Sequence, residues 1–218
     1  MSALAGTFIA THAQLSLKQR KEWVEILVDL ETRNQYAVFG SRGEEVGTLA
    51  EEGGGILRVI TRFLLRSHRP LDAAVCDRTG AQLLRLSRPF FLIFSDLLVR
   101  DAQGVKIGSV HRRFAILSRR YDLRDGFGRT FARVKSPLWR IWTFFVKAED
   151  GRDATIGKKW GGVFREVFAD ADTFGVDFSQ ASWSPEERAV IFSAAVSIDF
   201  DFFENNQGIG GMLDIPFD

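Results

Sequence analysis

Short apolar stretches that end in a polar turn and a glycine recur along the chain. Glycine supplies the positive φ that tight hairpin turns require, so each recurrence is a hairpin signal. The five stretches cover residues 36–43, 74–80, 98–104, 121–126 and 145–151, and second strands that contain another glycine follow at 45–47, 105–108 and 154–157. This pattern predicts about ten to twelve short antiparallel strands, whose edges are best hidden in a closed barrel.

The C-terminal part of the sequence has a different pattern, that of a fully apolar helix. Ser184 is placed as N-cap, Pro185 as first helical residue, and Glu186 and Glu187 as acids in the first turn. Residues 189–198 are apolar or small on every face, which requires burial. They rise about 15 Å, whereas a membrane span needs about 20 apolar residues, so length favours a core helix over a membrane anchor. We expect a mainly β fold, a closed antiparallel barrel enclosing this hydrophobic helix.

Composition agrees with one packed domain. The 218 residues are 45% hydrophobic, with 20 Phe and 5 Trp, which is ample for a continuous core. We expect an N-terminal lead-in over 1–16, a barrel domain over 17–204 and a flexible tail over 205–218. Cys76 is the single cysteine, so no intramolecular disulfide or cysteine-based zinc site can form, and no secretory signal is evident. These features indicate a cytoplasmic protein.

The net charge of +1 conceals a strongly uneven distribution. Residues 106–147 carry 11 basic and 2 acidic side chains, whereas residues 148–218 carry 5 basic and 14 acidic ones. The two segments either neutralise each other in the folded protein or leave a basic surface for an anionic partner.

Two basic regions are candidates for such a surface. Residues 56–66 have apolar side chains at helical spacing and arginines every four residues on another face, which is typical of a helix that lies on a membrane or packs on its own core. The second region runs through the predicted strands of residues 112–135. The proposed lipid-binding residues are Arg58, Arg62, Arg66, Arg112, Arg113, Arg119, Arg120, Arg124, Arg129, Arg133 and Lys135. Nucleic acid would be attracted by the same field, but no base-reading motif accompanies it.

Several segments carry a family resemblance. Residues 156–162 read Ile-Gly-Lys-Lys-Trp-Gly-Gly, residues 165–176 run from Arg-Glu-Val-Phe to Thr-Phe-Gly-Val, and residues 194–204 run from Ala-Ala-Val-Ser to Phe-Phe-Glu. With Glu51, Glu52, Arg88 and Pro89 upstream, this succession resembles a bacterial-type member of the phospholipid scramblase family over residues 17–204. The resemblance implies a tubby-like barrel of about twelve strands around the helix. It also implies calcium-dependent movement of phospholipids between leaflets, and phosphoinositide binding through surface Lys and Arg.

The same resemblance implies a calcium loop at residues 170–181. Asp170, Asp172 and Asp177 are the candidate metal ligands, and hard Ca²⁺ prefers such oxygens. Phe174 and Ala181 stand where further oxygen ligands would be needed, so either weak Ca²⁺ binding or turn-forming aspartates fit the pattern.

The sequence offers little for catalysis. His12, His68 and His111 lie in unrelated contexts, and nucleophile elbows and phosphate loops are absent. We therefore expect a protein that is not an enzyme and that binds anionic phospholipid head groups, peripherally at the inner membrane face. The alternative is a cytosolic structural or protein-interaction module whose charges mate with a partner or with a second copy.

Overall fold

The protein folds as a closed antiparallel β-barrel around a C-terminal helix. The computed structural model describes residues 3–19, 35–51, 70–90, 96–113, 118–137, 142–157 and 173–202. The twelve strands are β1 (Gln14–Gln19), β2 (Gln35–Phe39), β3 (Glu45–Glu51), β4 (Leu71–Asp77), β5 (Gln82–Arg88), β6 (Asp96–Asp101), β7 (Lys106–Arg113), β8 (Ser118–Asp125), β9 (Thr130–Pro137), β10 (Thr143–Ala148), β11 (Asp153–Gly157) and β12 (Thr173–Asp177). The helices are α1 (Phe8–Thr11) and α2 (Pro185–Phe202).

Each strand pairs with its neighbours in sequence, and β12 closes the barrel on β1. The expected closed antiparallel barrel with a C-terminal helix is therefore confirmed. Because the strands alternate in direction, the barrel has two distinct ends. The turn end holds the tight turns β2–β3, β4–β5, β6–β7, β8–β9 and β10–β11. The connection end holds the other strand termini, among them Gln19, Gln35, Glu51, Leu71, Arg88, Arg113, Ser118, Pro137, Gly157 and Thr173.

The five tight turns share one local geometry. In each turn a glycine has φ between 79° and 87°, a conformation that other residues rarely adopt. Asp77, Asp101 and Asp125 begin three of them, and their Oδ1 atoms accept hydrogen bonds from backbone N–H groups two and four residues ahead. The predicted hairpins are confirmed. In the fourth turn the left-handed residue is Gly128 rather than Gly126.

Helix α2 passes through the barrel from the turn end to the connection end. Its start is capped as the sequence predicts, since Ser184 N–H donates to Glu187 Oε2 at 2.8 Å and Glu187 N–H donates to Ser184 Oγ at 3.2 Å. Residues 189–198 are at most 1% exposed, which confirms the expected core helix. The helix continues through Asp199 to Phe202, beyond the apolar run, and the ring of Phe200 lies 5.8 Å from that of Tyr36 at the connection end.

At two glycines of the barrel wall a helix side chain packs directly against the strand backbone. A side chain at Gly108 of β7 would come within 2.4 Å of Val190 on α2, and one at Gly47 of β3 would come within 2.7 Å of Phe8 on α1. Both glycines belong to the second strands recognised in the sequence, so that pattern reflects close packing against helices.

The N-terminal segment closes the turn end. Leu4, Phe8 and Ile9 are buried there with Phe178 and Trp183. Arg188 of α2, 8% exposed, fastens this closure: its Nε donates to the carbonyl of Ile9 at 2.7 Å, a second guanidinium nitrogen donates to the carbonyl of His12, and the guanidinium lies 4.1 Å from the centre of the Phe178 ring.

A second arginine links the β10–β11 turn to the start of α2. Arg152 donates two hydrogen bonds to the Glu187 carboxylate, at 2.7 and 2.8 Å, contacts Asp150 at 2.7 Å and lies 4.4 Å from the centre of the Trp183 ring. Burial acts to raise the pKa of Glu187, but the hydrogen bonds from Arg152 and from Ser184 N–H outweigh it, and the pKa lies below its ordinary value.

Glu187→Gln is expected to lower the free energy of unfolding by about 1–2 kcal/mol at pH 7, because charge-assisted hydrogen bonds are lost. Since the folded pKa of Glu187 is lowered, its contribution is present above the unfolded value near 4.5 and is lost as pH falls through the folded value. The difference between wild type and variant in urea unfolding should therefore shrink from pH 7 towards pH 3. Glu149→Gln, at an exposed carboxylate, is the control. A difference that is constant with pH would contradict the assignment.

Candidate functional site

The predicted arginines of residues 112–135 lie on three adjacent strands, β7, β8 and β9, and on the β8–β9 turn. The structure brings five of the eight basic residues together at the connection end and places the other three nearer the turn end. The five are Arg112, Arg113, Arg119, Arg120 and Lys135. Because side chains alternate between the two faces of a strand, these five divide into an outer set and an inner set.

The outer set forms a row across three strands, which we call the basic row. Arg113 lies directly opposite Arg120, and Arg120 lies directly opposite Lys135. All three side chains are exposed. Within the described part of the chain, Arg120 and Lys135 form no ion pair, and Arg120 Nε donates to Ser118 Oγ at 2.9 Å. Like charges directly opposite each other destabilise a sheet, so this row costs stability unless an anion lies against it.

The next row towards the turn end is neutralised by acids. Asp122 lies 3.6 Å from Arg113 and 3.8 Å from Arg133, and Arg133 also contacts Glu149 at 3.2 Å. Arg129 is bound by Asp125 of its own turn at 2.8 Å. Mutual neutralisation of residues 106–147 by residues 148–218, one of the two interpretations of the charge asymmetry, therefore describes Arg133 with Glu149. Arg129 is paired within its own segment, and the basic row is not neutralised as a whole.

The remaining predicted residue on these strands, Arg124, lies near the turn end opposite Ser109. It is thus separated along β8 from the basic row, which is at the other end of the strand. Arg124 and Arg129 are therefore separated from the five residues at the connection end, whereas Arg133 adjoins the basic row through Asp122, which it shares with Arg113.

The inner set consists of Arg112 and Arg119. Arg112 points to the same face of β7 as the buried Val110. Arg119 points to the same face of β8 as the buried Tyr121 and Leu123. The Arg119 guanidinium lies 5.9 Å from the centre of the buried Phe144 ring, which places it on the inner side of the wall. Both arginines are partly buried.

Two exposed aromatic residues lie at the same end of the barrel as the basic row, and no pattern in the sequence indicated them. Trp142, just before β10, is 37% exposed and Phe90, just after β5, is 47% exposed. Tryptophan prefers the boundary between water and lipid, where its ring meets apolar groups and its N–H meets polar ones. The exposure of both side chains depends on where β5 ends and β10 begins, which the sequence pattern does not define.

Some of the predicted site residues lie outside the described residues. These are Arg58, Arg62 and Arg66, with the amphipathic helix predicted for 56–66, and Asp170 and Asp172. The described residues on either side of the first stretch, Glu51 and Pro70, are at the connection end. Among the described residues no helix has the length and hydropathy needed to cross a bilayer.

Asp177 is described, and its carboxylate is engaged in local hydrogen bonds. Oδ2 accepts from Gln14 Nε2 at 2.8 Å and Oδ1 accepts from Ser179 N–H at 2.8 Å. The part of the chain that the structure covers holds no group of three or more His, Cys, Asp or Glu residues arranged to bind a metal. At Asp177 the contacts are those of the turn-forming alternative.

The comparison with known families assigns the chain. The family model described as Scramblase matches residues 3–205. The chain belongs to the scramblase family. The resemblance noted in the sequence is thereby confirmed.

Curated relatives of this scramblase-family chain occur in yeasts and mammals. A phospholipid scramblase family protein of Schizosaccharomyces pombe is 27% identical over 93% of this chain, and phospholipid scramblase 1 of Mus musculus is 27% identical over 90% of it. The chain covers 63% of the length of each of these two relatives. Altered inheritance rate of mitochondria protein 25 of Saccharomyces cerevisiae is 26% identical over 95% of the chain and is covered over 76% of its own length.

Among solved structures, an X-ray structure of a protein from Arabidopsis thaliana aligns with 86% of this chain and 90% of its own, at 12% identity and a TM-score of 0.46.

Proposed function

We propose that this scramblase-family chain is a non-enzymatic protein that binds the anionic head groups of phospholipids at a membrane surface through the connection end of its barrel. The observation that carries the proposal is the basic row, in which Arg113, Arg120 and Lys135 lie opposite one another across three strands. An anionic surface relieves the repulsion within this row. The family supports the class of ligand, since two relatives described above are named for phospholipid scrambling.

The geometry of the end suits a flat anionic surface. The row lies at the ends of β7, β8 and β9, where a plane placed across the connection end can meet all three cations. Trp142 and Phe90 are partly exposed at the same end, and their rings can enter the interfacial layer of the membrane. The cytoplasmic leaflet carries the anionic lipids, so we place the protein peripherally at the inner membrane face.

The size of the effect follows from the charge count. Each Lys or Arg near an anionic membrane contributes about 1 kcal/mol, so removal of the row should weaken binding about 100-fold. Exposed charges are screened by salt, which gives the interaction a strong dependence on ionic strength.

The test is flotation with vesicles of phosphatidylcholine alone and of phosphatidylcholine with about one third phosphatidylserine, at about 0.05 M and 0.5 M salt. Wild type should float with the anionic vesicles at low salt only. R113Q/R120Q/K135Q should lose about 100-fold in affinity. The matched control, R42Q/R78Q/K106Q, removes three exposed charges at the turn end and should bind like wild type. Equal losses in both variants, or binding without dependence on phosphatidylserine, would refute the proposal.

Two further sets of residues are proposed to contribute to membrane binding. Arg58, Arg62 and Arg66 belong to the connection between β3 and β4 and are proposed to add to the same surface. Weak Ca²⁺ binding by Asp170, Asp172 and Asp177 is proposed as a second contribution, and it predicts that millimolar Ca²⁺ increases flotation of wild type but not of a D170N/D172N variant.

A further inference from the structure

We propose that Asp122 is an internal counter-ion of the basic row, and that protonation of His111 weakens its hold and thereby strengthens binding to an anionic membrane in acid. This regulation rests on the proposed lipid-binding function and acts at the same end of the barrel. It changes how much positive charge the basic row presents to a head group.

Asp122 competes with a membrane for the cations of the basic row. It lies on β8 two residues from Arg120, on the same outer face of the barrel. Its carboxylate is 3.6 Å from Arg113, a member of the basic row, and 3.8 Å from Arg133. An anionic head group that binds Arg113 must therefore compete with a carboxylate that is already in place.

His111 is positioned to act on this acid. It lies on β7 directly opposite Asp122 on one side and directly opposite Asp96 of β6 on the other. It is also two residues from Arg113 on the same face of β7. Side chains directly opposite each other in a sheet have Cβ atoms about 4.5–5.5 Å apart, so a charge on His111 acts on both acids.

The contact between His111 and Asp96 defines where the second proton is taken up. The Nδ1 atom of His111 contacts the carboxylate of Asp96. An ionised carboxylate only accepts hydrogen bonds, so Nδ1 carries the proton in the neutral ring and Nε2 takes up the second one. Imidazole is the side chain that ordinarily changes its charge between about pH 5 and 8. Proton uptake therefore changes the summed charge of Asp96, His111 and Asp122 from −2 to −1.

The charged groups around His111 in the described part of the chain lie on three strands. They are Asp96 and Arg100 on β6, Arg113 on β7, and Arg120, Asp122 and Arg124 on β8. Helix α2 packs against the inner face of β7, away from His111. The two groups directly opposite His111 are both acids, whereas the cations occupy diagonal or more distant positions. A positive ring at this position is therefore attracted to Asp96 and Asp122.

Protonation of His111 acts on the basic row in two ways that have the same sign. It adds one positive charge beside Arg113, and it gives Asp122 a third cation in addition to Arg113 and Arg133. Both changes increase the attraction between this surface and anionic lipid. Each positive charge near such a membrane contributes about 1 kcal/mol, which corresponds to about fivefold in affinity. We therefore expect about fivefold tighter membrane binding in acid.

A structural role is the competing explanation for His111 and Asp122. Opposite charges that face each other across strands stabilise a sheet by about 0.2–1 kcal/mol per pair. In that case, substitution would lower the stability of the barrel but would leave the pH response of membrane binding unchanged. Binding and thermal unfolding of the same variants therefore separate the two roles.

The first measurement is flotation of the full chain at low salt with phosphatidylcholine vesicles that contain about one third phosphatidylglycerol, at about pH 8 and pH 5.5. Phosphatidylglycerol keeps its phosphodiester charge over this range, so the lipid surface stays the same. Wild type should bind about fivefold more tightly in acid, and H111Q should lose this response. The control H12Q, at a histidine that contacts Glu44 near the turn end, should keep it, as should H68Q at the third histidine.

Two variants with fixed charge test the direction of the effect at about pH 8. H111K carries a permanent charge and should bind about as tightly as wild type does in acid, with no pH response. D122N removes the internal counter-ion and should bind about fivefold more tightly than wild type. The matched control is D153N, which removes an acid paired with Lys147 near the turn end and should bind like wild type.

The outcomes separate this regulation from the lipid-binding function. Flotation of wild type that is equal at both pH values, or a pH response that H111Q retains, would overturn the regulation and leave the basic row intact. Unchanged affinity of H111K and D122N, together with lower stability, would assign His111 and Asp122 a structural role only. Absence of flotation with anionic vesicles at both pH values would refute the proposed function and the regulation with it.

Discussion

Replacing Phe192 by alanine is expected to lower the free energy of unfolding by about 3–5 kcal/mol. Phe192 is fully buried on α2 in the barrel core. Its truncation removes the transfer free energy of an aromatic ring and leaves a cavity between helix and wall. Urea unfolding monitored by circular dichroism provides the measurement.

The matched control is Phe127→Ala, which removes the same atoms from a side chain that is 88% exposed at the β8–β9 turn. It should change stability by less than about 0.5 kcal/mol. Similar costs for the two substitutions would contradict the enclosure of α2, and with it the separation of the barrel into a closed turn end and a charged connection end.

Replacing Arg188 by methionine is expected to cost about 2–3 kcal/mol and to loosen the N-terminal segment. The substitution keeps most of the side-chain volume but leaves the carbonyls of Ile9 and His12 without their guanidinium donor, each at about 1–3 kcal/mol. Burial lowers the pKa of Arg188, which shows that holding the cation there has a penalty, and its removal offsets part of the loss.

Limited proteolysis provides the second measurement for Arg188→Met. Cleavage within residues 3–13 should accelerate in the variant, whereas Arg42→Met, at a side chain that is 89% exposed, should be cleaved and unfolded like wild type. An Arg188 variant with unchanged proteolysis would show that apolar packing of Leu4, Phe8 and Ile9 alone holds the segment.

Basic side chains have different roles at the two ends of the barrel. At the turn end, Arg188 and Arg152 each have partners that satisfy their charge or their donors, so these cations stabilise the fold. At the connection end, Arg113, Arg120 and Lys135 are placed opposite one another, an arrangement with an electrostatic cost. Among the described residues, Arg113 of the basic row has an ion pair, with Asp122 at 3.6 Å, whereas Arg120 and Lys135 have none. The cations of the basic row are thus less fully partnered than Arg188 and Arg152.

Much of the architecture could be predicted because its signals are local. A glycine at the left-handed position defines each tight turn, Ser184 and Glu187 form a reciprocal cap within four residues, and the run of apolar residues at 189–198 is too short for a bilayer and too hydrophobic for a surface. None of these conclusions requires knowledge of which strands lie side by side.

The candidate site could be predicted only in part. The sequence identified a basic region in residues 112–135 but treated its arginines as one surface. The structure divides them, because Arg129 and Arg133 are bound by acids, and Arg112 and Arg119 point inward. The sequence predicted that side chains alternate between the two faces of each strand. Which of the two sets faces the helix depends on how each strand packs.

By itself, the sequence determined the hairpins, the capped and buried helix, the location of the basic region and the family. Only the tertiary structure decided that residues as far apart as Arg113, Arg120 and Lys135 form one row, and that Arg188 fastens the N-terminal segment. The physical reason is that turns and caps depend on neighbouring residues, whereas register across strands is set by barrel closure and by bulges such as that between Leu123 and Arg124.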